Sequence, residues 1–162
     1  MSRLILLLVL LTPVSCAHYS TSASGAGGTG SIAVPMFENK SLESGLQQAL
    51  TDSLIQGFVT NGALRVLDED RATLVLRGEV VEVREEPFTY SGGSEQFRIT
   101  IVLGVSCYDS QEKKAVWEET GLSGFGVFDA GADRQEARTA GLNAAIRMLV
   151  EDVIDRTQVG GW

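Results

Sequence analysis

The chain has 162 residues, 44% of them hydrophobic and 21% charged, with a formal net charge of −8 at pH 7. Those proportions suit one packed domain and exclude a disordered chain. An acidic balance supplies no general field for phosphate backbones, whose binding rests on Lys and Arg, so nucleic acid is set aside as a partner.

The first element along the chain is a leader. Arg3 precedes an apolar run, residues 4–11, which gives way to Thr12-Pro13-Val14-Ser15 and Cys16 before the composition turns to Ser, Gly and Ala. A basic start, a short apolar core and a small residue at the break are the parts of a secretory signal peptide. The run is too short for a membrane span, which takes about 20 apolar residues. Cys16 at the expected cleavage point suggests a bacterial lipoprotein signal over residues 1–15, with diacylglycerol on the Cys16 thiol and acylation of the new amino terminus. Pro13 stands where such signals usually carry Leu, and the competing reading is an ordinary secreted protein cut nearby. Acylation by two or more chains would hold the protein stably, where one chain holds it marginally.

Residues 16–31 follow as the lipidated terminus and a flexible linker of Ser, Thr, Gly and Ala, with a reach on the order of 20 Å over its last twelve residues. An α+β domain is then expected over 32–157, with a tail at 158–162. Residues 32–37 read as a strand, and Pro35 suggests that it lies at an edge, since Pro cannot donate to a ladder. Leu42, Leu46, Ala49, Leu50, Ser53, Leu54, Gly57 and Phe58 recur at three- and four-residue spacing, which predicts a helix over 42–60. Ser41 is its capping candidate and Asn61-Gly62 its stop. Strands are expected at 64–67 and 73–84, around a solvated acidic turn at 68–71. Phe97, Ile99, Ile101, Leu103, Val105 and Cys107 alternate with more polar neighbours, the cleanest period of two in the chain. Ser91-Gly92-Gly93-Ser94 reads as a hairpin loop and 109–113 as a turn. A strand with Trp117 spans 115–125, and 124–131 form a loop. Asp133, with Glu136 three positions on, opens a second helix over 133–156.

The fold class that buries these stripes is α+β: an antiparallel or mixed sheet of about four strands with two amphipathic helices packed on one face. Cys107, alone within a strand pattern once Cys16 takes lipid, is expected buried and unbridged.

Chemistry is sparse. His18 is the single histidine and lies two residues past the lipid site, so no His-based triad and no His-rich metal site can be assembled, and no cofactor is implied. Glu82, Glu85 and Glu86 cluster at one strand end, and Glu118 and Glu119 on another; paired acids serve glycoside hydrolysis, but along exposed strands they read as solvated surface. The Gly-rich strings lack the strand-to-helix context and Lys of a phosphate cradle.

Several strings in order carry a resemblance: Ile32-Ala33-Val34-Pro35-Met36-Phe37-Glu38-Asn39, Gly45-Leu46, Gly62-Ala63-Leu64-Arg65-Val66, Ala72 through Val81, Glu86-Pro87-Phe88-Thr89-Tyr90, the strand 97–107 and Val116-Trp117-Glu118. The chain after Cys16 resembles the LptE family of lipopolysaccharide-assembly lipoproteins. The resemblance implies a non-catalytic protein on the periplasmic side of the outer membrane, one that plugs and helps assemble a large β-barrel, LptD, and assists lipopolysaccharide transport. Ala17, in place of Asp, fits outer-membrane sorting. Lipopolysaccharide contact would need cations for phosphate; Arg77, Arg84, Arg98, Lys113 and Lys114 lie on or beside the central strands, and Arg84 and Arg98 are the candidate contacts. The alternatives are an envelope scaffold for a different assembly, related to the amino-terminal domain of TolB, and a periplasmic hydrolase using the acidic cluster.

Overall fold

Three long strands form the frame. In the computed structural model, which describes residues 30–89, 95–131 and 133–159, β4 (Leu74–Thr89), β5 (Gln96–Asp109) and β6 (Lys114–Asp129) form an antiparallel meander. The leader, Cys16, His18 and the hairpin loop 91–94 lie outside the described residues, as do positions 160–162 of the expected tail. Ahead of the meander come β1 (Ser31–Ala33), β2 (Glu38–Asn39), α1 (Leu46–Asn61) and β3 (Arg65–Val66), and α2 (Arg134–Val159) follows it.

The sheet is mixed, in the order β3-β1-β4-β5-β6, with β1 parallel to both neighbours and β2 added parallel to β4 further along. It therefore has six strands where about four are expected, two of them only two residues long. The α+β class with two helices stands. β1 is interior, not an edge: Ile32 pairs with Val66 on one side and Leu74 on the other. The strand ends at Ala33, so Pro35 lies beyond it, where no ladder donor is needed. Ser31, assigned to the linker, is buried and opens β1.

The core lies on one face. From β5 it takes Ile101, Leu103, Val105 and Cys107, all close to fully buried, along with Leu46, Leu50, Leu54 and Phe58 from α1 and Ala145, Ile146, Leu149, Val153 and Ile154 from α2. Each such side chain contributes about 1.5–3 kcal/mol on burial. Cys107 is free and buried, and burial pushes its thiol up to about 12.

Helix α1 starts four residues later than the expected 42. Asn39 Oδ1 accepts from the Ser41 amide (2.9 Å) and hydroxyl (2.7 Å), while Ser41 Oγ accepts the Glu43 amide at 3.2 Å. These local bonds offer the backbone an alternative to the helix, and Leu42 is left fully exposed. Gly45, at φ 78°, then turns the chain into α1. The expected stop holds: Gly62, at φ 72°, donates its amide to the Phe58 carbonyl at 3.0 Å. Thr51, buried in α1, accepts the Phe37 amide (3.1 Å) and ties the segment between β1 and β2 to the helix.

Further boundaries move, and β4 runs on to Thr89, past the expected 84. β6 continues to Asp129, so Gly124-Phe125-Gly126, assigned to a loop, are strand. α2 begins at Arg134, with the Asp133 carbonyl accepting its first bond from Ala137 (3.0 Å), and runs to Val159, past the expected 156 and into the expected tail.

Candidate functional site

The outer face of β4, β5 and β6, opposite the helices, is where the expected contact residues meet. A bulge between Val80 and Glu82 shifts the alternation of β4, since one extra residue exchanges the faces of all that follow. Before it, Leu76 and Val80 point to the core; beyond it, Glu82, Arg84 and Glu86 stand outward and Glu85 stands toward α2.

Arg84 lies opposite Thr100, and Arg98 opposite Glu86 and Val127, which places the two arginines diagonally on neighbouring strands. Arg84 is mostly exposed, with Nε 3.5 Å from Glu82. Arg98 is held differently. Its guanidinium carbon sits 4.2 Å from the Phe88 ring centroid and 5.2 Å from that of Phe125, a cation–π sandwich. Its Nε is buried without a hydrogen-bond partner, and Glu86 approaches only to 3.9 Å. Arg98 thus presents a positive group framed by two half-exposed rings. Arg77 and Lys114 are less available, Arg77 pairing with Glu69 and Lys114 with Glu112, while Lys113 is exposed at the positive-φ position of the β5–β6 turn.

The acidic clusters do not assemble an acid pair. Glu85 and Glu86 emerge on opposite faces of β4, and Glu85 is bonded to Arg134 (2.6 Å) and Arg138 (2.9 Å) of α2. Glu119 faces Arg156 at 3.4 Å. Among the described residues no group of three His, Cys, Asp or Glu is placed to hold a metal ion.

One constellation has no counterpart in the sequence reading. Arg138 forks onto Glu43 (3.0 and 2.7 Å) while its Nε reaches Glu85, joining the loop before α1, strand β4 and helix α2. Arg134 adds a stack over Phe97, centroid distance 4.4 Å, beside Phe128. The i,i+4 spacing of Arg134 and Arg138 is visible in the sequence, but their partners lie 49 to 95 residues away. The hydrogen bonds and charge of Arg138 hold the Glu43 carboxyl below its usual range against the opposing effect of burial.

A family model described as LptE: Lipopolysaccharide-assembly matches residues 29–157. No curated protein sequence matches the chain significantly. Among solved structures, the chain is similar to the hypothetical protein CT253 from Chlamydia trachomatis, at TM-score 0.57 and 11% identity, covering 79% of this chain and 95% of that one. The XCC0632 protein from Xanthomonas campestris superposes at TM-score 0.56 and 13% identity, over 81% and 85% of the two chains. A minor lipoprotein from Acinetobacter baumannii does so at 0.52 and 14%, over 80% and 91%. At these identities the likeness is one of fold.

Proposed function

We propose, from the premise that the chain belongs to the LptE family of lipopolysaccharide-assembly proteins, that it is an outer-membrane lipoprotein moored through Cys16 that plugs an LptD-type β-barrel. In that position it helps the barrel assemble and assists the passage of lipopolysaccharide to the cell surface. The observation that carries this reading is the family match from residue 29 to residue 157.

Physical features of the domain support it. A barrel lumen is polar, and the outer sheet face offers charged and hydrogen-bonding groups, among them Arg84, Glu86, Arg98 and Thr100, with no layer of its own chain over them among the described residues. No helix among the described residues is long and apolar enough to cross a membrane; on this reading attachment is by the lipid on Cys16. In the same reading Arg84 and Arg98 meet lipopolysaccharide phosphate, Arg98 with its charge unneutralised at hydrogen-bonding distance and its rings ready for apolar contact.

The test is isolation of the acylated full chain from its native membranes in mild detergent. A large β-barrel recovered in equal amount is the expected result. A different envelope assembly in its place would replace the plug with the scaffold reading.

A further inference from the structure

Among the described residues β6 is the outermost strand of the sheet and pairs only with β5. Such an edge carries a row of free N–H and C=O groups, which proteins usually blunt with Lys, Pro, a bulge or short length. This edge is sixteen residues long, and from Thr120 to Phe128 it carries no charge and no proline. A register shift lies between Glu119 and Leu122, and the β5–β6 register is then unbroken from Leu122 to Asp129, so from Leu122 on no bulge turns the edge away.

The direction of its donors follows from one contact. The Phe125 amide points away from β5 and donates to Met148 Sδ at 3.5 Å, and a thioether is a weak acceptor. Antiparallel alternation then puts the Ser123 and Val127 amides on the same open side. The side chains of Phe125 and Val127 stand exposed on the outer face beside them.

The charges around this stretch decide what can lie along it. A second copy would bring the same acidic flanks, Glu118, Glu119 and Asp129, with no Lys or Arg between Ala115 and Asp129 to meet them, on a chain already at −8. A strand of a closed barrel cannot serve either, because its backbone groups are already paired. We propose that the β6 edge from Leu122 to Phe128 takes an added strand from an extended loop or terminal segment of the barrel partner. That segment is uncharged where it faces this stretch and flanked by Lys or Arg that meet Glu118 and Asp129. The inference rests on the plug reading and deepens it by naming the contact and its chemistry.

Amide hydrogen exchange on the full chain, alone and in the barrel complex isolated from membranes, tests it. The Ser123 and Val127 amides exchange freely in the chain alone and slow by about tenfold or more in the complex. A complex that contains the barrel but leaves these amides unprotected overturns this inference and leaves the plug standing; an isolate without a barrel removes both. Protection that appears in the chain alone and rises with its concentration assigns the edge to a second copy and overturns the proposal. Ser123→Pro, which deletes an outward donor, lowers recovery of the barrel, whereas Ser123→Ala does not; equal recovery with both is the contrary result.

Discussion

Gly126 and Gly141 meet where β6 passes under α2. A Cβ at Gly126 would lie 2.0 Å from the Gly141 carbonyl oxygen, and one at Gly124 2.5 Å from that of Ala145. Backbone cannot give way as a side-chain tip can, so Gly126→Ala is expected to cost about 1–3 kcal/mol or more, read as a lower midpoint in urea. Gly121, on the same strand with nothing within 4 Å of its added Cβ, is the control; Gly121→Ala should leave the midpoint nearly unchanged. Since Ala suits a strand interior better than Gly, equal losses at both positions would mean that contact with α2 is not what Gly126 serves. The Arg138 fork makes a prediction of a different kind. Glu43 is held below the ordinary value of 4.5 in the folded chain. A carboxyl with a lowered folded-state pKa contributes stability that is fully present above its unfolded value and is lost as pH falls through the lowered one. Arg138→Met should therefore lower the melting temperature at neutral pH, by a deficit that shrinks as pH falls through the lowered value; a deficit that is the same at every pH would show that the fork adds no pH-dependent stability.

The strongest periods in the sequence became the elements with the fullest burial. The alternation from Ile99 to Cys107 is the centre of the sheet, and Leu46, Leu50, Leu54 and Phe58 are the inner stripe of α1. Leu50→Asp places an unpaired charge at a position with no exposure, at a cost of several kcal/mol against a total of about 5–15. The domain should lose its cooperative melt by circular dichroism, and an unaltered melt would put α1 in water. Element ends were less legible, for local reasons. The Asn39 and Ser41 turn competes with the first turn of α1, and Leu42 shares the period of the helix without joining it. Gly124 and Gly126 carry the same signal as a loop because glycine marks both chain reversal and close backbone approach. Nor did the period reveal the bulge at Val80–Glu82, although that one extra residue sends Glu85 toward α2 and Arg84 outward.

For the molecule as a whole, the proposed mooring at Cys16 and the folded body are expected to be separable. Cys16→Ser should abolish incorporation of labelled fatty acid while the domain from β1 to α2 keeps its melting temperature; label still entering the variant would refute attachment at Cys16. A domain whose outer sheet face and β6 edge are uncovered among the described residues suits the proposed place inside another protein, which exchange and co-isolation test.

The α+β class, the two amphipathic helices and the antiparallel meander were legible in the order of the residues, because periodicity and turn chemistry act between near neighbours; the family was legible only as a resemblance of ordered strings. Strand order, with β1 inserted in parallel between β3 and β4, was not, since pairing of Ile32 with Leu74 is decided by sheet closure across the chain. The aromatic setting of Arg98 and the fork of Arg138 are of the same kind. Their partners come from strands and a helix that only packing brings together, and no local pattern in a sequence encodes which distant charges or rings will share a surface.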